Sequence, residues 1–350
     1  VTRHIVRRVI ASALMLLMLS LATFLIFKTI PLDPACLRVN CGQGATVTKA
    51  QLRQIDHQIG ADRPILVQYK NFLWRLVRHG SFGSSWVSGQ IDPRLHAAVA
   101  ETASIVLGGA VLLVLLALPL GILSALRPNT ISDRLILFGS IFGIALHPLI
   151  VGYILRQAFG TKLGWLPVSG YCPLTHTQTL GPDEIAQLVQ TRAAIPPVCG
   201  GVHAWWTHLM LPWATFAAFF LPLYVRLIRT RVLETIGDPH VATARAKGAS
   251  ELRVVARHVL RPALVPLAPM VAMDLGGALM AAIYIEVVFG FSGIGSTVLQ
   301  VLSPDRAGYD LPVVAAIFFV IGFFIVVLNL VADVAQALLD PRIRLAPSPA

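Results

Sequence analysis

Six stretches of the chain run for about twenty residues each with almost no charge, near Val9–Phe27, Ala103–Leu126, Leu135–Leu155, Leu209–Val225, Pro262–Ile285 and Leu311–Ala332; only Asp274 interrupts the fifth. Roughly 20 apolar residues are what an α-helix needs to cross the hydrocarbon of a bilayer. The pattern predicts an all-α polytopic membrane protein with six transmembrane helices. Val9–Phe27 follows Arg3, Arg7 and Arg8, as a secretory signal would. Its 19 uncharged residues exceed the roughly 7–15 of a signal core, so it reads as the first span.

Between the first two runs the pattern changes to amphipathic. Thr48 to Ile59 opens on a capping pair, Thr48 with Gln51, and stops at Gly60. A second helix starts at Pro64 and ends at Gly80. Its apolar residues Ile65, Leu66, Tyr69, Phe72, Leu73, Leu76 and Val77 recur at three- and four-residue spacing, with Lys70, Arg75 and Arg78 on or beside the other face. Such a helix lies on the membrane surface or on the tops of other helices. Gly80–Gly89 reads as a loop. His147-Pro148 sits inside the third run, where proline removes a backbone hydrogen bond and predicts a kink. The polar, Pro-rich segment 164–206 reads as a small exterior insert. The organisation expected is thus a tail and first span (1–30), an extracytoplasmic helical segment (31–97), and a core of five spans (98–350) with the exterior insert 164–206 and a cytoplasmic loop at 230–264.

Composition sharpens this. The chain is 56% hydrophobic and 13% charged, against about 25% charged in soluble domains. Its net charge of +11 reads as a topology signal rather than a nucleic-acid footprint. Lys and Arg concentrate in short loops on one side: Arg3, Arg7 and Arg8, then Arg127 and Arg134. The series continues with Arg229, Arg231, Arg245, Lys247, Arg253, Arg257 and Arg261, and ends on Arg342 and Arg344. By the positive-inside rule both termini are cytoplasmic. The four cysteines, Cys36, Cys41, Cys172 and Cys199, all fall in exterior loops. They allow three connectivities. The local pairs Cys36–Cys41 and Cys172–Cys199 are expected in an oxidising space, with free thiols as the alternative. No histidine stands at zinc-finger spacing from either pair, so no metal site is expected.

The most informative segment is the basic island Asp238 to Pro266 between two apolar runs. Asp238 is placed to cap a helix that begins with Pro239, and Ala242, Ala244 and Ala246 keep that helix slim. Gly248 can adopt the left-handed conformation that ends it, and Ser250 can cap the next helix. Arg253, Arg257 and Arg261 then repeat every four residues on one face, opposite Leu252, Val255 and Val259. Two short helices hinged at a glycine form an elbow shaped to fit a groove.

Thr243-Ala244-Arg245-Ala246-Lys247-Gly248, continued by Ala249, Ser250, His258-Val259-Leu260-Arg261 and Pro266, resembles the coupling motif of binding-protein-dependent ABC importers, and more narrowly the B-type permease subunit of dipeptide/oligopeptide importers. The resemblance covers nearly the whole chain. It includes Arg7-Arg8, Asp33-Pro34-Ala35, Asp62-Arg63-Pro64 with Gln68-Tyr69, Gly80-Ser81-Phe82-Gly83, Pro119-Leu120-Gly121 and Leu163 to Gly170. Arg226 with Arg229, Glu286 to Phe289 with Gly293-Ile294-Gly295, and Asp340-Pro341-Arg342 extend it to the C-terminal end. Ala242 stands where the broad motif has glutamate, Arg261 where it has proline, and Pro262 where asparagine is common. The insert closed by Cys172 and Cys199 is longer than usual.

The resemblance implies the type I ABC importer permease fold and a place in the cytoplasmic membrane. It implies a second permease subunit, two ABC ATPase subunits, an extracytoplasmic solute-binding protein and a peptide substrate as partners. The chain has no glycine-rich phosphate loop of the G-x-x-x-x-G-K-[ST] form, so ATP and magnesium belong to the ATPase partners and the chain is not itself an enzyme. Thr243 to Ser250 with Arg253 and Arg257 are then the ATPase-coupling residues. Polar groups within apolar runs mark a pathway, because lipid burial is costly. Asp274, Gly277, Glu286 and His147 are its candidate residues. The competing reading is a proton-coupled secondary transporter using Asp274 or Glu286; the inverted repeats such proteins show are not seen here.

Overall fold

In a computed structural model, residues 2–29, 35–36, 48–59, 62–85, 90–145, 147–174, 199–264, 267–302 and 310–339 are described. They are helical apart from loops and isolated bridges such as Ser84 with Gln90. Helix α1 is Thr2–Thr29, α2 Lys49–Ile59, α3 Ile65–His79, α4 Ile91–Leu126 and α5 Ile131–Ala145. Helix α6, Pro148–Leu155, runs into a π-wound turn at Arg156–Lys162. Helix α7 is Val202–Ile236 and α8 Pro239–Ala246; the single turn α9, Glu251–Arg253, leads into a second π-wound turn, Val254–Val259, and α10, Leu260–Leu264. Helices α11 (Leu267–Phe289), α12 (Ile294–Val301) and α13 (Leu311–Leu339) complete the series.

Four of these, α1, α4, α7 and α13, contain segments long and apolar enough to cross a bilayer, and a fifth is reached if Gly277–Phe289 and Ile294–Val301 form one broken span. The third apolar run differs from its expected form. Instead of one kinked helix it is two, α5 of 15 residues and α6 of 8. Pro148 carries no N–H and pushes the residue before it out of the helical region, so His147 takes an extended conformation (φ −73°, ψ 143°). The His147 ring then accepts a hydrogen bond from the Leu149 N–H at 3.3 Å, satisfying a donor that the new helix start leaves open.

The chain divides into two compact units. The first comprises Val1–Ala100, Leu264–Leu279 and Gly293–Ala350. Here α1 packs along α13, with Gly322 so close to Leu19 that a Cβ would lie 2.1 Å from its Cδ2. Helix α3 starts after Pro64 and ends on Gly80 at φ 61°, as its sequence predicts. Its inner face rests on α1: Tyr69 and Ser20 share a hydroxyl hydrogen bond of 2.9 Å, and Phe72 stacks on Phe24. Ile91, Leu95 and Ala98 of α4 meet Ile294, Val301, Val313 and Ile317 in a buried core. Asp310, buried beside it, accepts a hydrogen bond from Ser85.

The second unit comprises Glu101–Ala263 and Met280–Ser292. Its spine is the pairing of small residues on α4 with large ones on α7. A Cβ on Gly108 would fall 2.0 Å from the Trp213 ring, one on Gly109 2.6 Å from Phe216, and one on Gly121 2.8 Å from Ile228. The Trp213 indole N–H donates to the Ser104 carbonyl of α4 at 2.8 Å. Where water is absent, close backbone approach through small residues is the main route to helix association. Gly108→Ala is expected to lower the melting temperature of the purified protein in detergent, by overpacking worth about 1–3 kcal/mol. Adding Trp213→Phe should recover part of the loss, because the atoms that collide belong to the indole that phenylalanine lacks; absence of recovery in a thermal-shift series would show that the two helices do not meet this way.

Candidate functional site

Helix α8 begins where the sequence places it, with Asp238 extended before Pro239 in the first turn. The Asp238 side chain makes no capping hydrogen bond; its carboxylate lies 3.7 Å from the His240 ring instead. Ser250 likewise stands at the cap position of α9 with no side-chain cap bond. At its other end α8 closes with a paired backbone motif. The Gly248 N–H donates to the Arg245 carbonyl at 2.9 Å and the Ala249 N–H to the Ala244 carbonyl at 3.3 Å, with Gly248 at φ 77°. That pairing requires the left-handed region at Gly248, which is the reason for glycine there. Nothing lies within 4 Å of where its Cβ would be, so conformation and not space sets the requirement.

Two polar contacts stiffen the elbow across this hinge. Arg245 reaches Glu251 through two hydrogen bonds of 2.8 and 3.3 Å, and the His240 ring bonds the His258 carbonyl at 3.0 Å. Beneath them Val241, Val254 and Val259 are fully buried and Ala244 nearly so. Val254 and Val259 are five residues apart, a spacing that would point them to different sides of an α-helix. The π-wound turn over Val254–Val259 brings both inward. The sequence predicts a regular arginine stripe, an apolar face of Leu252, Val255 and Val259, and three small alanines open to a partner. The structure divides both groups: Val259 and Ala244 face the elbow's own core, and Leu252 is 83% exposed. Ala242, Thr243, Ala246, Lys247, Gly248, Arg253 and Arg257 are exposed, and Ala249 is half-buried.

Behind the elbow stands an ion pair that sequence reading does not pick out. The Asp133 carboxylate, 2% exposed, accepts from Arg229 Nε at 2.8 Å and Nη2 at 2.9 Å, from the Asn129 N–H at 2.9 Å, and from the Ser124 hydroxyl. The Arg229 guanidinium holds the Asp133 carboxyl well below the usual carboxylate range, overcoming burial, which acts in the other direction.

The remaining predicted positions are dispersed. In the first unit, Asp274 is half-buried on α11 and Gly277 exposed on the same helix. In the second unit, Glu286 is fully enclosed and accepts from the Thr102 hydroxyl at 2.6 Å. Glu101, next to Thr102, accepts from the Ser292 N–H at 2.7 Å. His147 is exposed, with its ring 4.4 Å from that of Tyr284. Cys172 and Cys199 form a disulfide with a Cα separation of 5.4 Å. Cys36 is disulfide-bonded; Cys41, its expected partner, lies outside the described residues, as do 175–198 of the exterior insert and 340–350. His208 stands within 4.8 Å of both sulfurs of the Cys172–Cys199 bond, a grouping that linear spacing concealed. With the sulfurs bonded to each other neither is a free thiolate, and a His208 ring nitrogen is bonded to the Gly170 carbonyl at 2.8 Å.

Residues 117–345 match the family described as binding-protein-dependent transport system inner membrane component, and residues 1–89 match that family's N-terminal region. The chain belongs to this family. It is similar over 97% of its length to a probable peptide ABC transporter permease of Sinorhizobium fredii, at 27% identity and covering 99% of that protein. An oligopeptide transport system permease of Bacillus subtilis is 29% identical over 97% of the chain and 99% of its own length. A glutathione transport system permease of Salmonella paratyphi A is 30% identical over 97% of the chain and 98% of its own length. The protein is therefore a multi-pass membrane permease subunit of a binding-protein-dependent ABC importer, the non-catalytic component of that machine.

The permease's elbow depends on a left-handed residue, and substitutions at Gly248 should rank accordingly. Gly248→Asn is expected to be mild, Gly248→Ala to cost about 1–2 kcal/mol of local stability, and Gly248→Pro to abolish the motif. Hydrogen exchange of the α8 amides measures this directly; equal protection in all three variants would contradict the geometry.

Proposed function

We propose that this permease imports di- or oligopeptides, with α8–α10 as the seat for an ABC ATPase subunit. The peptide reading rests on the relatives, which are named for peptide, oligopeptide and glutathione transport. The seat rests on one observation: the elbow is rigid inside and open outside. Its own core takes Val241, Ala244, Val254 and Val259, while the small residues Ala242 and Ala246, the exposed Leu252 and the cations Lys247, Arg253 and Arg257 stay free to meet a partner.

The assembly has two ATPases that bind ATP and magnesium below, a second permease subunit alongside in the lipid, and a solute-binding protein above. The permease crosses the membrane six times, by α1, α4, the broken pair α5–α6, α7, α11 and α13. Both termini are cytoplasmic, on the side of Arg127, Arg134 and the elbow. ATP-driven closure of the ATPases displaces the elbow as one body, and the spans rock to open the pathway to one side at a time. Asp274, Gly277, Glu286 and His147 are the residues assigned to that pathway, as polar or small groups within or beside apolar spans.

Leu252→Asp and Ala246→Trp, made separately, test the seat with the full importer reconstituted in proteoliposomes. Each should leave the permease in the membrane, reduce co-purifying ATPase subunits, and lower ATP-dependent peptide uptake at least tenfold. Normal ATPase retention and uptake in both variants rules out the seat. Uptake that follows a proton gradient and ignores ATP would revive the secondary-transporter reading.

A further inference from the structure

The elbow is the end of a long lever. Helix α7 runs unbroken for 35 residues and reaches α8 after only Gly237 and Asp238. The π-wound turn Val254–Val259 also packs back on α7. Anything that displaces the elbow therefore bears on the end of α7. Arg229 sits seven residues before that end, about 10 Å along the axis at 1.5 Å per residue.

From Arg229 the connection leaves α7. Its guanidinium holds both oxygens of Asp133, and the same carboxylate gathers Ser124 from the last turn of α4 and the Asn129 N–H from the turn that follows. Asp133 itself lies in the first turn of α5, and Asn129 takes φ 61°, so the turn is held in a conformation a flexible loop would abandon. Three helices meet at one carboxylate. Elsewhere along this interface α4 and α7 meet through apolar contacts such as Gly121 against Ile228, with the single indole hydrogen bond from Trp213 to the Ser104 carbonyl about four to five turns away. A two-bonded guanidinium–carboxylate pair resists both sliding and rotation, because its geometry is planar and directional.

We propose that the Asp133–Arg229 pair is the joint that passes movement of the elbow from α7 to the α4–α5 hairpin, both residues acting by positioning helices and touching neither solute nor nucleotide. The inference rests on the ATPase seat argued above. A residue that only supported the fold would lower yield and melting temperature without altering how much solute moves per ATP. A joint alters that ratio.

The experiment uses the complete importer in proteoliposomes, with retained ATPase, basal ATP hydrolysis and peptide uptake measured on the same sample. Asp133→Asn is expected to keep the ATPase subunits and to leave basal hydrolysis within twofold, while uptake per ATP hydrolysed falls at least fivefold. Asp133→Cys with Arg229→Cys should be uncoupled in the same way, and a short bifunctional methanethiosulfonate bridge between them should restore at least half of the lost ratio. An unchanged ratio in Asp133→Asn overturns the proposal. So does a loss confined to assembly, with normal uptake per ATP in the complexes that remain, or a bridge that forms and restores nothing. The two readings fail separately: if Leu252→Asp and Ala246→Trp both keep their ATPases and normal uptake while Asp133→Asn still uncouples, the seat is wrong and the joint stands.

Discussion

A polar group removed from water must find a partner in the protein, and this constraint shapes the permease more than any single packing contact. An unpaired buried donor or acceptor costs about 1–3 kcal/mol, and a charge more. Among the described residues no enclosed side-chain nitrogen or oxygen lacks a hydrogen-bond partner. Thr23, Ser140, Thr215 and Thr235 return their hydroxyls to the carbonyl one turn back. Carboxylates are met by groups from distant parts of the chain: Asp310 by Ser85, Glu286 by Thr102, Asp133 by Arg229. Breaking one side of a buried ion pair typically costs about 3–5 kcal/mol. Each such pair therefore fixes which helices are neighbours, while the glycine-to-aromatic contacts of α4 and α7 set how closely they approach.

The elbow is where that constraint relaxes, and its design changes accordingly. Its interior is valine and alanine, its bracing contacts are the exposed Arg245–Glu251 pair and a histidine ring on a carbonyl, and its outer surface carries cations and one large apolar residue. Exposed ion pairs contribute little, typically about 0.2–1 kcal/mol. The Arg245–Glu251 contact thus limits hinge motion about Gly248 more than it stabilises the fold. Stiffness inside with an uncommitted surface outside suits a part that is pushed.

Much of this was legible in the sequence, for a physical reason. A proline at a helix start, a glycine stop and an uncharged run act over a few residues, so the bounds of α3 and α8, the left-handed Gly248 and the apolar runs can be read locally. What could not be read is set by groups far apart in the chain. Asp133 looks like any acidic residue in a first helical turn, and Arg229 like one more cytoplasmic cation, until the fold joins them across 96 residues. Glu286 reads as a pore-mouth carboxylate because Thr102, 184 residues away, leaves no trace beside it. The His147-Pro148 break was half legible. Proline predicts disruption, but whether a helix bends or restarts depends on whether the preceding residue can cap the new end, as the His147 ring does here. The π-wound turn had one signal available: valines at a spacing of five, which fits neither face of an α-helix.

That spacing bears on how the elbow meets a partner. A regular helix through Arg253, Arg257 and Arg261 would place the three guanidinium groups in one row, with Leu252 behind them. Widening the turn moves Val254 and Val259 inward together, while Leu252 points outward. The elbow's exposed residues then include one large apolar side chain, cations and small residues. A groove that receives the elbow gains burial from Leu252 and close backbone approach at Ala242 and Ala246. Ala244, grouped with them in the sequence only by its small size, is already committed to holding the two arms together. Enlarging it would deform the elbow and report on its folding, whereas enlarging Ala246 leaves the elbow intact and obstructs only what docks against it.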